Sequence, residues 1–162
     1  RRGDLRTGKL APALFFSWRC PLADLTITAS QVKAGAGAVE GTGVAGATVT
    51  AGQPIYEDAT DGRIKLADAN LSLAAAKARG VALHGALANQ PIRYQKAGKV
   101  IVGAGAAPAK GTIYVASATA GGIAPAADLL SGWHATILGV GDGDGGIDLV
   151  PGGPYASGHA VP

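Results

Sequence analysis

A chain of 162 residues is long enough for one domain with a real hydrophobic core. Its 26 glycines and 9 prolines, with aromatics at 5% and no methionine, exclude a helical bundle and point to short strands, many turns and small side chains inside. The net charge of +3 comes from the first twenty residues, where Arg1, Arg2, Arg6, Lys9 and Arg19 face only Asp4. The rest holds nine basic and ten acidic residues, so it has no basic face for nucleic acid.

Residues 1–23 stand apart: basic, holding both Phe15 and Phe16, and without alternation. Their apolar centre is short and broken by Pro12, so they read as an extended arm rather than an export signal. Phe15, Phe16, Trp18 and Arg19 are the candidates for docking to a partner; packing back on the chain's own body is the other reading. Cys20 is the sole cysteine, which excludes an internal disulfide and a cysteine zinc site. No apolar run nears the roughly 18 residues of a membrane span.

From Asp24 to the end the pattern is that of a single β-rich domain. Leu25-Thr26-Ile27-Thr28 alternates as a half-buried strand does, Ala34 to Gly46 reads as a glycine-rich loop with short extended pieces, and Ala47 to Thr50 alternates again. Pro54 to Glu57 and Arg63 to Leu66 form a hairpin over Asp61-Gly62. One short helix is expected at about 70–79, with Asp68 or Asn70 as its cap and Gly80 as its stop. Strands follow at 81–83, 92–94, 100–102, 112–116, 122–124, 135–140 and 147–150, and residues 151–162 read as irregular. Roughly ten short strands at spacings of about 8–12 residues predict an all-β fold, a small antiparallel barrel or sandwich.

A phrase is also said twice. Gly52-Gln53-Pro54-Ile55-Tyr56, Thr60-Asp61-Gly62-Arg63-Ile64 and Ala67-Asp68 return as Gly111-Thr112-Ile113-Tyr114, Thr119-Ala120-Gly121-Gly122-Ile123 and Ala127-Asp128. Pseudo-repeats over about 46–102 and 103–150 are expected, with Tyr56 and Tyr114 in matching places. The repeated residues are turn formers and packing residues, not a catalytic set.

Other motifs fall to their surroundings. Val100 to Gly105 imitates a dinucleotide fingerprint, but Pro108 and Gly111 follow where a helix N-terminus must receive the pyrophosphate. Asp142, Asp144 and Asp148 on a glycine loop could offer oxygen ligands to calcium, yet Asp-Gly alternation is equally what a tight turn needs. His84, His134 and His159 form no ligand pair, and no nucleophile motif occurs. No enzyme activity, cofactor or metal is expected.

Asp24 to Val32, Ala47 to Tyr56, Ile64 to Asn70, Ala78 to Leu83 and Gln90-Pro91-Ile92 together resemble the capsid decoration (cement, or head fiber) proteins of tailed bacteriophages, over about 24–150. The resemblance implies a structural, non-enzymatic virion protein on the outer capsid surface, made in the host cytoplasm. There it would bind the major capsid protein and itself, often as a homotrimer, with no role for nucleic acid or membrane. A carbohydrate- or host-binding β-module of a fiber or adhesin is the alternative, and a small hydrolase a third class.

Overall fold

A computed structural model describes residues 24–150 and the backbone of 155–160. In chain order the elements are β1 (Lys33–Ala34), β2 (Val39–Val44), β3 (Pro54–Glu57), β4 (Ile64–Leu66), a one-turn helix α1 (Leu73–Ala76), β5 (Gly80–Ala82), β6 (Pro91–Ile101), β7 (Ile113–Ala116), β8 (Ile123–Pro125), β9 (His134–Gly141), β10 (Gly146–Leu149) and β11 (Tyr155–Ala160). The strands join one antiparallel sheet in the order β4-β3-β5-β6-β10-β9-β7-β8, with β1 and β2 also paired to β6, and β11 to β9. The sheet curls into a half-barrel. Its first half bends until Ala45, just past β2, meets Ile64 of β4 in a parallel bridge, with the Gly46 amide donating to the Ile64 carbonyl at 2.7 Å.

The duplication is visible in the strand order. β3-β4-β5-β6 and β7-β8-β9-β10 have the same internal pairing, and the two sets meet back to back at β6 and β10. Register sharpens the match: Ile55 lies opposite Leu66 and Gly80, while Tyr114 lies opposite Pro125 and Gly139. Ile55 is therefore the partner of Tyr114, and the expected Tyr56–Tyr114 match is off by one residue. Such a slip exchanges the faces of a strand. Tyr56 is half-buried opposite Lys65, whereas Tyr114 is buried and its hydroxyl accepts from the Ala109 amide at 2.9 Å. Gly80 and Gly139 show why glycine recurs here. A Cβ at either would lie 2.2 Å from a backbone carbonyl of the next strand, that of Gln95 or of Asp148.

Two cores lie on the faces of this sheet. Val81, Val100, Val102, Tyr114, Ile123, Leu138, Ile147 and Leu149 fill one; Val49, Ile55, Ile64, Ala82, Ile92 and Tyr94 fill the other. Neighbouring Val81 and Ala82 enter opposite cores, so β5 is buried on both faces and must use small side chains. β6 also serves both, turning at Gly98 (φ +82), where a Cβ would lie 2.2 Å from the Gly37 carbonyl.

Several expected elements take other forms. The helix shrinks to Leu73–Ala76, capped by Ser72, whose hydroxyl accepts from the Ala75 amide at 3.1 Å. Asp68 instead closes a tight turn on the Asn70 and Leu71 amides, and the Arg79 amide is taken by the Ile55 carbonyl at 2.6 Å, so strand pairing ends the helix early. Leu25 to Thr28 is no strand, though Leu25 and Ile27 do pack inward. Of Ala47 to Thr50 only Val49 pairs, with Ala86, whereas the supposed loop at 34–46 contains β2. The two strands expected at 92–94 and 100–102 are one, β6, and the tail expected to be irregular contains β11. Residues 1–23, with the candidates Phe15, Phe16, Trp18 and Arg19, lie outside the described residues, as does Cys20.

Candidate functional site

The most distinctive surface is the rim where the N-terminal segment joins the sheet. The Leu25 amide donates to the Ile123 carbonyl of β8 at 2.7 Å, which places Asp24 beside Gly122. The Ser117 amide donates to the Gly122 carbonyl at 2.9 Å, and Gly121 to Ala67 at 2.8 Å. Ala69 then inserts between the two main strands of the second repeat: its amide donates to the Ser117 carbonyl at 2.9 Å and its carbonyl accepts from His134 at 2.8 Å. A piece of the first repeat thus completes the end of the second.

The loops that meet at this Ala69–His134 contact carry Leu71 and Leu130, 70% and 57% exposed and two of the three most exposed large apolar residues described. Each follows a compact turn, the Asp68 turn in one repeat and the short 3-10 turn Ala126–Asp128 in the other. The rim also holds two buried polar atoms without a partner among the described residues, Asp24 Oδ1 and His134 Nδ1. Exposed large apolar side chains such as these are the usual material of a docking surface.

Elsewhere several charged groups are tied to the fold. Lys65 bridges Asp58 at 2.6 Å and Asp61 at 3.0 Å across the β3–β4 turn. The Lys65 ammonium and the Thr60 amide pull Asp58 down to about 2, Asp61 is lowered by the same ammonium, and Lys65 is raised by both carboxylates. Arg79 pairs with Glu57 at 2.9 Å and Arg93 with Glu40. His84 fills a structural place, its Nε2 accepting from the Arg93 amide at 3.1 Å.

The aspartate loop is committed to its own turn. Asp142 pairs through Oδ2 with Lys99, while Oδ1 accepts from the amides of Asp144 at 2.7 Å and Gly146 at 2.9 Å. The ammonium, followed by those amides, holds its carboxyl down at about 2 and raises Lys99 in return. Asp144 is exposed at the tip, and Asp148 lies in β10 opposite Lys99 and Val140. Among the described residues no group of three His, Cys, Asp or Glu side chains is placed to hold a metal ion, so the structure does not bring Asp142, Asp144 and Asp148 together as ligands.

The Gly103 region is a turn, with φ +94 at Gly103 and its amide bonded to the Gly145 carbonyl at 3.1 Å; β7, not a helix, follows. Sequence reasoning missed the rim because no single segment makes it: residues 24, 67–71, 117–122 and 130–134 meet only in the fold. Among the described residues no helix is long and apolar enough to cross a membrane. Compared with protein-family models, with curated proteins and with solved structures, the chain matches none.

Proposed function

We propose that the chain is a structural virion protein that binds the outer face of an assembled phage head and ties neighbouring major capsid subunits together, as a homotrimer. The observation that carries this reading is the rim: the loops that meet at the Ala69–His134 contact each present a large apolar residue to solvent, Leu71 in one repeat and Leu130 at the matching place in the other. Residues shared by the repeats, such as Gly52 with Gly111, Gly62 with Gly121 and Ile64 with Ile123, serve turns and cores, which fits a scaffold whose unrepeated parts make contact. A bound copy adds its binding energy to every subunit it bridges, and repetition over a lattice makes small interfaces sufficient.

Purified protein mixed with undecorated heads is expected to sediment with them up to a fixed ratio; absence of a complex at saturating protein would sink the proposal. Deleting residues 1–20, which removes Phe15, Phe16, Trp18 and Arg19, is expected to weaken capture at least tenfold, a loss of about 1.4 kcal/mol. Leu71→Asp with Leu130→Asp should do the same while leaving the melting curve in place. A glycan array tests the adhesin alternative, for which a decoration protein shows no signal.

A further inference from the structure

We infer that residues 24–32 form a releasable strap, keyed into three glycine notches, which lifts off the body as a unit. The notches follow the path of the chain. A Cβ on Gly122 would lie 2.7 Å from Asp24 Oδ2, one on Gly52 2.5 Å from Ile27 Cγ2, and one on Gly103 2.1 Å from Gln31 Oε1. Gly52 and Gly103 also have positive φ, which gives them a backbone reason to be glycine. Gly122 has none, and its missing side chain is explained by the strap together with the Ser117 Cβ, 3.0 Å away. Three turns from different parts of the chain are therefore shaped to one short segment, whose own path includes the 3-10 turn Ala29–Gln31.

The seat is specific but lightly held. Among the described residues one backbone hydrogen bond ties the strap to the rest of the body, Leu25 to Ile123; the bonds from Gln31 to Thr28 and from Val32 to Ala29 close a turn within it. Leu25 and Ile27 are only partly buried, Val32 at the strap's end being its one core residue, and beside them remains a depression of about 220 Å³ lined by Thr50, Ala51, Gly52, Gln53, Gly121 and Ile123. Asp24 opposes seating, because its Oδ1 is buried with no partner among the described residues, and water would satisfy it on release. Few contacts, incomplete packing and a stranded polar atom are the features of a segment that opens below the global unfolding free energy.

Nine residues released as an extended chain add about 30 Å of reach at roughly 3.3 Å each. That reach matters for capsid docking only if the proposed function holds; the opening itself does not depend on it. Hydrogen exchange of the full chain over a series of low denaturant concentrations tests the opening. The Leu25, Gln31 and Val32 amides are expected to exchange at least about tenfold faster than those of β5, β6 and β9, with a smaller dependence on denaturant. Gly122→Ala should speed strap exchange further and leave β6 unchanged, and Ile27→Ala reads the same opening should that variant fail to fold. Asp24→Ala should slow it, by removing the unpartnered carboxylate. Strap amides that follow β6 in rate and denaturant slope, or faster exchange in Asp24→Ala, would overturn the inference.

Discussion

Gln95 sits with no exposed surface in the middle of β6, its side-chain amide donating to the Ala97 carbonyl at 3.0 Å and its Oε1 left without a partner among the described residues. A buried acceptor in that state costs stability, so Gln95→Met should change the urea midpoint by less than about 1.5 kcal/mol equivalent. Gln95→Glu places a charge in the same site and should cost about 3 kcal/mol or more. The repeated glycines allow a second comparison. Gly139→Ala drives a Cβ against the Asp148 carbonyl, which cannot move without its strand, and should cost about 2–3 kcal/mol. Gly62→Ala meets no atom within 4 Å and pays only for its φ of +66, about 1–2 kcal/mol. Equal losses in the two variants would show that the close strand approach is not what requires glycine at 139.

The β3–β4 and β9–β10 turns are each pinned by a lysine on a neighbouring aspartate, and this gives them a common acid response. Asp58 and Asp142 are both held at about 2, below the ordinary carboxylate value. A lowered folded-state pKa means the unfolded chain takes up protons first as the pH falls. Their stabilisation is therefore complete above about pH 4 and is lost between about pH 4 and pH 2. Thermal melts across that range should fall steeply for the native chain. They should fall less for Asp142→Asn, which keeps an acceptor for the Asp144 and Gly146 amides but carries no charge to titrate. An unchanged slope in Asp142→Asn would remove the Lys99–Asp142 pair from the account. The one-turn helix is decided in a similar local contest: Ser72 starts it, and pairing of Arg79 with β3 stops it.

At the scale of the whole molecule, β6 links the two cores. Its first half pairs with β2 and β5 and carries Ile92 and Tyr94 into one; its second half pairs with β1 and β10 and carries Val100 into the other. A break in either core must loosen the shared strand, so the body should melt in one transition despite its duplicated plan. Leu138→Ala in one core and Ile55→Ala in the other should each cost about 2–5 kcal/mol and shift that same transition. Two resolved calorimetric peaks in either variant would show that the halves are separate folding units.

The sequence by itself determined the β class, because alternation and Asp-Gly and Gly turns are local signals. It also determined the duplication, through phrases that return after 59 residues at Gly52 and Gly111 and 60 at Asp68 and Asp128, and the turn at Asp142, whose side chain closes on amides two and four residues away. Tertiary structure alone decided what depends on distant neighbours. β2 was unreadable because its glycines look like a loop, yet Tyr94 and Ile64 side chains occupy the space a Cβ at Gly41 or Gly43 would need. The fusion of two expected strands into β6, the true partner of Tyr114 and the rim around Asp24, Ala69 and His134 have the same cause. Each is fixed by pairing and packing between residues tens of positions apart, and a local pattern carries no record of which strand will lie beside it.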